Sequence, residues 1–271
     1  MARPLWFVAL LKTAFPGRVL LAELTKMPVV GSVVDYMLFR GDDLVYLPQN
    51  EVIPVNEQIE AQGETVLPSQ MVEHFVQEAR YHWIMDTCLC RDSAHCDDYP
   101  RDLGCLFLGE AVLGIHPKLG RLVSRDEALD HLQRCRDAGL VHMVGRNRLD
   151  AFWLGVEPND RLLTVCNCCP CCCLWKVLPH ITPQIGDKVR RMPGVSLTVS
   201  DRCAGCGTCT QGVCFVDAIT LNGGRATIDD ACRGCGRCVT VCPHEAIELN
   251  VDDEQFVQKA IEHLAPLVDV T

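Results

Sequence analysis

Apolar positions recur at helical spacing in three places along the chain. Val72, Phe75, Val76, Ala79 and Trp83 step by three and four residues behind Pro68, which predicts a helix over 69–86. Ser124 with Glu127 three residues later forms a capping box, and Gly139 supplies a stop, so 124–138 is predicted as a second helix. On it Ala128, Leu132 and Cys135 trace a core-facing stripe, which makes Cys135 a small buried side chain instead of a ligand. A third helix is expected over 253–267, turning Phe256, Ala260, Leu264 and Leu267 onto the body. Between these lie strand-like runs, "GLVHMVGRN" and "RLLTVC".

The first 39 residues are apolar in three short blocks, "LWFVALL", "RVLLAEL" and "MPVVGSVVDYMLF", separated by Lys12, Pro16, Gly17, Arg18, Lys26, Pro28 and Gly31. None alone reaches the roughly 18 residues that a membrane-spanning helix needs. They read either as packed core helices or as amphipathic helices lying on a membrane or a partner subunit. The stretch "PLWFVALL" is cut short by Lys12 and no small-residue cleavage site follows it, so the expectation is a cytoplasmic protein with peripheral membrane association left open.

Composition changes the picture most through cysteine. Nineteen cysteines in 271 residues are an odd number in a chain too long for a disulfide-stapled module, which points to metal-thiolate chemistry in a reducing compartment. The formal net charge of -10 argues against a nucleic-acid partner, whose phosphates call for a basic footprint. No G-x-G-x-x-G follows a strand and no G-x-x-x-x-G-K-[ST] loop occurs, so no nucleotide or flavin site of the standard sort is expected. Electrons must then arrive from, or leave to, another protein.

Eight of the cysteines fall in a duplicated unit, "DRCAGCGTCTQGVCFVDAITL" from Asp201 and "DACRGCGRCVTVCPHEAIEL" from Asp230. Each copy ends in an Ala-Ile pair, Ala218 with Ile219 and Ala246 with Ile247, that opens a strand. The second copy has the C-x2-C-x2-C-x3-C-P spacing in which three thiolates hold one cube and the fourth serves the other. Over about residues 195–250 the chain resembles the two-cluster bacterial-type ferredoxins. The resemblance implies one [4Fe-4S] cluster on Cys203, Cys206, Cys209 and Cys242, and another on Cys232, Cys235, Cys238 and Cys214. The first copy departs from the pattern: four residues separate Cys209 from Cys214, and Phe215 stands where the family has proline. A pair of zinc ribbons is the competing reading, disfavoured by eight cysteines in a crossed duplicate with no histidine.

Upstream, Cys88, Cys90, Cys96 and Cys105 precede the dense motif "CNCCPCCC" with Cys166, Cys168, Cys169, Cys171, Cys172 and Cys173. Pro170 suits a first helical position, so Cys169 is expected as a cap and Cys171 to Cys173 as a helical first turn, ended by Pro179. Successive helical side chains point about 100° apart, so the three cannot all serve one small cube. These ten thiols are expected to hold one or two further iron-sulfur clusters, with a metallothionein-like zinc or copper store as the alternative. Cys168 and Cys169 are also candidates for a catalytic dithiol; paired cysteines resemble the noncubane motif of heterodisulfide reductase catalytic subunits, although the glycine of that motif is missing. The overall order resembles ferredoxin-fused proteins found in anaerobes.

His142 is the histidine best placed to move a proton, ahead of His95 and His116. Arg91, Arg146 and Arg148 are candidates to face anionic clusters. The sequence thus predicts an α+β chain in three parts: an apolar docking segment over 1–60, a cysteine-rich mixed iron-sulfur domain over 61–194, and over 195–271 a ferredoxin-like (βαβ)2 module with two [4Fe-4S] clusters and a terminal helix. The expected function is electron transfer, or an oxidoreductase subunit, between the ferredoxin clusters and an upstream centre, with a redox protein or client metalloenzyme as partner. A metal carrier or reductive activator, and a thiol-disulfide reductase, are the alternatives.

Overall fold

The computed structural model describes residues 2–53, 67–253 and 255–271; the domain boundary placed near residue 60 lies outside them. Helices α1 (Leu5–Ala14), α2 (Arg18–Leu24) and α3 (Pro28–Val34) open the chain, and β1 (Asp43–Tyr46) follows. A single 3-10 turn at Phe15–Gly17, with Pro16 at its start, joins α1 to α2 without a break in the helical winding. Leu5–Leu24 therefore forms one 20-residue helical stretch, long and apolar enough by length and composition to cross a membrane. The reading of these blocks as separate short elements is corrected by that junction.

The next elements are α4 (Ser69–Glu78), β2 (His82–Met85), α5 (Leu89–Ser93), β3 (Leu106–Leu108), β4 (Gly120–Val123), α6 (Arg125–Asp137) and β5 (Val141–Arg146). The helix expected over 69–86 is corrected to α4 alone. Ala79 turns to extended backbone, and His82–Met85 pairs with both β3 and β4, so sheet pairing overrides the apolar periodicity. Helix α6 keeps its capping box, with Ser124 Oγ accepting from the Glu127 N–H and the Glu127 carboxylate accepting from the Ser124 N–H.

Then come α7 (Arg148–Leu154), β6 (Leu163–Cys168), α8 (Pro183–Gly186) and β7 (Val189–Arg191). Seven strands form one sheet in the order β4-β2-β3-β6-β5-β1-β7, antiparallel except for the β1–β7 pair. β1, inside the segment expected to dock, is an interior strand. β8 (Val195–Val199), β9 (Ile219–Asn222), β10 (Arg225–Ile228), α9 (Arg237–Thr240), β11 (Ile247–Val251) and α10 (Phe256–Leu264) complete the α+β chain. β8 pairs β11 and β9 pairs β10, each as an antiparallel couple.

Strand alternation sorts the side chains between two faces. Val45, Val144, Leu163 and Val165 face a core closed by α4, α6 and α10, where Phe256, Ala260 and Leu264 are fully buried. Burying that phenylalanine and leucine is worth about 1.5–3 kcal/mol each. Tyr46, Met143 and Cys168 face the opposite side, against Trp175 and Phe215. The cysteine chemistry lies largely on this second side.

Candidate metal centres

β6 sends Cys166 and Cys168 to the same face, because alternate residues of a strand share one side. The chain then turns through Pro170–Cys172 and enters a 3-10 helix at Leu174–His180. The helix expected to begin at Cys171 is corrected: Cys171 and Cys172 lie in a turn, Cys173 is extended, and Pro179 sits inside the 3-10 segment. The ladder with β5 carries Cys168 to the strand end, so the following thiols fan out from a turn instead of a helix.

The result is a division of the upstream thiols. Cys88, Cys90, Cys105, Cys166, Cys168 and Cys173 line one cavity of about 310 Å3. The Cys168 and Cys173 sulfurs are 3.3 Å apart, and those of Cys105 and Cys166 3.9 Å. Leu11, Phe15 and Leu21 from the N-terminal stretch form an apolar wall of the same chamber. Cys169 also borders it, but its sulfur gathers with those of Cys96, Cys171 and Cys172 beyond the strand end. Cys135 is buried against that second group, and burial pushes its thiol up to about 12.

Charge is managed around the chamber by two buried arginines. Arg91 is fully buried; its Nε donates to the Pro100 carbonyl at 2.8 Å and its Nη1 to the Asn167 carbonyl at 2.7 Å, with Nη2 on the Leu103 carbonyl. Burial opposes its charge, yet the thiolates of Cys88, Cys169, Cys105 and Cys168 outweigh that and hold its pKa above the usual value. Arg237 donates to the Cys168 carbonyl, while its Nε and Nη1 have no partner among the described residues. Arg146 and Arg148 do not line the chamber.

Thiols of Cys166 and Cys173, with the Tyr46 hydroxyl and Arg237 beside them, hold Cys168 well below the ordinary thiol range. The Cys90 thiol, working against burial, lowers Cys88 to about 7. Tyr46 remains protonated, since burial and the neighbouring Cys168 and Cys173 push it well up. It therefore donates to Cys168 Sγ at 3.4 Å, with Cys173 Sγ at 3.6 Å.

His142 does not reach the chamber. It pairs across the ladder with Asn167, one residue out of phase with Cys166 and Cys168, and so stands on the other face of the sheet. Its Nδ1 donates to Asn167 Oδ1 at 2.8 Å, and burial lowers its pKa to about 4. His142 therefore does not line the six-thiol chamber. The titratable carboxyl there is Asp150, raised by burial to about 6 despite hydrogen bonds from Trp153, Thr164 and Asn147.

In the duplicated unit, Cys203, Cys206, Cys209 and Cys242 line one small hollow, and Cys214, Cys232, Cys235 and Cys238 line another. Matching N–H groups point at matching sulfurs: Ala218 to Cys214 and Ala246 to Cys242, both at 3.3 Å. Gly205 at φ +68° brings the chain against the β9–β10 turn, where an added Cβ would lie 2.2 Å from the Gly224 oxygen. Paired hollows walled by soft donors and supplied with N–H groups suit iron-sulfur clusters.

A protein-family model described as the LdpA Fe-S cluster-binding domain matches residues 210–252, which span the second copy and the last cysteine of the first. The chain is an iron-sulfur protein. No curated protein and no solved structure matches it.

Sequence reasoning missed Tyr46, Asp150 and Arg237. Tyr46 sits in an unremarkable strand far from any cysteine in sequence, and Asp150 in an ordinary helix start. Arg237 carried one signal, its place inside the cysteine repeat between Cys235 and Cys238.

Proposed function

We propose that this protein transfers single electrons between a two-cluster ferredoxin module over residues 195–250 and an upstream iron-sulfur centre in the six-thiol chamber. The observation that carries the reading is the bridge between them. The Tyr46 ring lies 4.5 Å from that of Phe215, next to Cys214, while its hydroxyl touches Cys168 and Cys173. Iron-sulfur clusters supply the one-electron chemistry when bound.

The chain's own residues set the conditions for it. Cys203, Cys206, Cys209 and Cys242 form one ligand set, and Cys232, Cys235, Cys238 and Cys214 the other. Tyr46 and Arg237 direct an O–H and an N–H at the Cys168 segment, which favours added negative charge in the chamber. Asp150, its carboxyl raised to about 6 by burial, is poised to take up a proton beside it. Leu11, Phe15 and Leu21 keep water from that side.

The apolar N-terminal surface supports a bilayer as the partner of this part of the chain. Trp6, Leu20, Val29 and Tyr36 are 68%, 68%, 77% and 62% exposed on consecutive helices, a patch that a soluble surface rarely leaves open. The first 40 residues hold five basic against two acidic side chains in a chain of net charge -10, which suits an anionic headgroup surface. Lys12 pairs with Asp92 at 2.7 Å and so ties this surface to α5, which carries Cys90 and Arg91.

The test is anaerobic iron and acid-labile sulfide quantitation with Mössbauer spectra. About twelve irons per chain, falling to about eight in Cys168→Ser, are expected. About eight irons in the unaltered protein would overturn the upstream centre and leave a metal carrier as the better description.

A further inference from the structure

Cys96, Cys169, Cys171 and Cys172 differ from the other cysteine sets in spacing. All four sulfurs lie within 4.8 Å of one another, and among the described residues this is the group of three or more such donors that converges so closely. Cys96 Sγ is 3.6 Å from Cys171 Sγ, and Cys171 Sγ is 3.4 Å from Cys172 Sγ. The Cys172 N–H donates to Cys169 Sγ at 3.3 Å.

That spacing discriminates between a cluster and a single ion. One tetrahedral ion with metal–sulfur bonds of about 2.3 Å sets its sulfurs about 3.8 Å apart. A cube takes each thiolate on a different iron, along a bond that points outward, and so needs a wider tetrahedron. The two quartets of the duplicated unit are not drawn into so tight a group. Four sulfurs converging within 4.8 Å of one another therefore match a single ion, whereas the equally short Cys168–Cys173 contact is one pair within a six-thiol chamber.

The donor set narrows the ion. Four sulfurs with no histidine or carboxylate among them select a soft tetrahedral metal. Cys96, Cys169 and Cys172 are buried, and Leu103, Leu140 and Cys135 pack around them. With every position thiolate and the surroundings apolar, no coordination site is left for water or substrate, which is the pattern of a structural zinc.

We propose that Cys96, Cys169, Cys171 and Cys172 bind one tetrahedral zinc ion, separate from the iron-sulfur sites. Its place in the chain gives it a role. The turn it holds lies between Cys168 and Cys173, the two chamber cysteines that touch Tyr46, and Cys96 anchors that turn to the segment after α5. The ion fixes the turn from outside while its two flanking residues face the chamber. The site stands whether or not the chamber holds iron.

The experiment is zinc and iron quantitation on anaerobically isolated full-length protein from cells replete in both metals, together with zinc K-edge absorption spectroscopy. The expected result is about one zinc per chain in an all-sulfur shell at about 2.3 Å. Cys96→Ser and Cys172→Ser should each lower zinc at least about five-fold at unchanged iron content. Loss of about four irons in these variants, with no zinc in the unaltered protein, would mean a further cluster at the site and overturn the proposal. So would zinc that is unaffected by both substitutions, a mixed sulfur and nitrogen shell, or a mononuclear iron signal in place of zinc. The absorption spectrum of the unaltered protein decides the matter even if a variant fails to fold.

Discussion

The Tyr46 hydroxyl donates to Cys168 Sγ at 3.4 Å from a ring that is itself packed against Phe215. A donor aimed at a ligand sulfur stabilises the more negative, reduced state, so its removal should lower the midpoint potential of the chamber centre. A hydrogen bond to a charged group contributes roughly 1.5 kcal/mol, and a tenfold change in a one-electron equilibrium is about 59 mV. Tyr46→Phe should accordingly shift the chamber potential down by about 60 mV and leave the ferredoxin clusters in place. Redox titration followed by EPR reads both; an unmoved chamber potential would remove Tyr46 from the bridge.

Asp150 should make that potential depend on pH. Its carboxyl is raised from 3.8 to about 6 because burial disfavours the charge. Adding an electron nearby raises it further, so above about pH 6 the potential should fall with increasing pH, by at most about 59 mV per unit. Asp150→Asn should flatten that slope. Linkage fixes the stability effect as well: the folded state keeps the proton longer than the unfolded one, so stability is greatest below the unfolded pKa and declines as pH rises through about 6. Thermal melts of the two proteins across this window should converge at acid pH.

Gly205→Ala tests the first hollow of the duplicated unit. The new Cβ would meet the Gly224 carbonyl at 2.2 Å in a backbone conformation that costs other residues about 1–2 kcal/mol. The clash is with backbone and cannot be relieved by a rotamer change. Loss of about four irons with the remaining clusters intact is expected by iron analysis and Mössbauer spectroscopy.

Membrane docking is tested by sedimentation with vesicles of mixed zwitterionic and anionic lipid. The unaltered protein should pellet with them, and the double variant Leu20→Asp with Val29→Asp should stay in the supernatant at unchanged iron content. Both residues point outward, so the substitutions leave the core untouched. Equal sedimentation of the two proteins would redirect the apolar surface to a protein partner.

Local signals in the sequence were read correctly where a short stretch determines its own structure. The capping box of α6, the burial of Cys135 and the strands opened at Ile219 and Ile247 needed no distant partner. The errors arose where tertiary pairing won: Trp83 completes a helical stripe on paper but sits in β2, and Cys171 follows a proline suited to a helix but lies in a turn imposed by the β5–β6 ladder. His142 lies on the sheet face opposite Cys166 and Cys168, and one residue of strand phase decides that. Phe215 stands where the ferredoxin pattern has proline, and its ring packs against Tyr46.

Arg91 has a consequence for the protein's response to acid. A cation with no exposure, held by three carbonyls and surrounded by thiols, is tolerable while those thiols are ionised. Protonating those sulfurs at acid pH would leave the guanidinium without counter-charge in the interior, a situation that costs about 3–5 kcal/mol. That is a large part of the stability of an ordinary domain. A chain emptied of metal is therefore expected to be acid-sensitive, opening as the lowered thiolates of Cys168 and Cys88 take up protons.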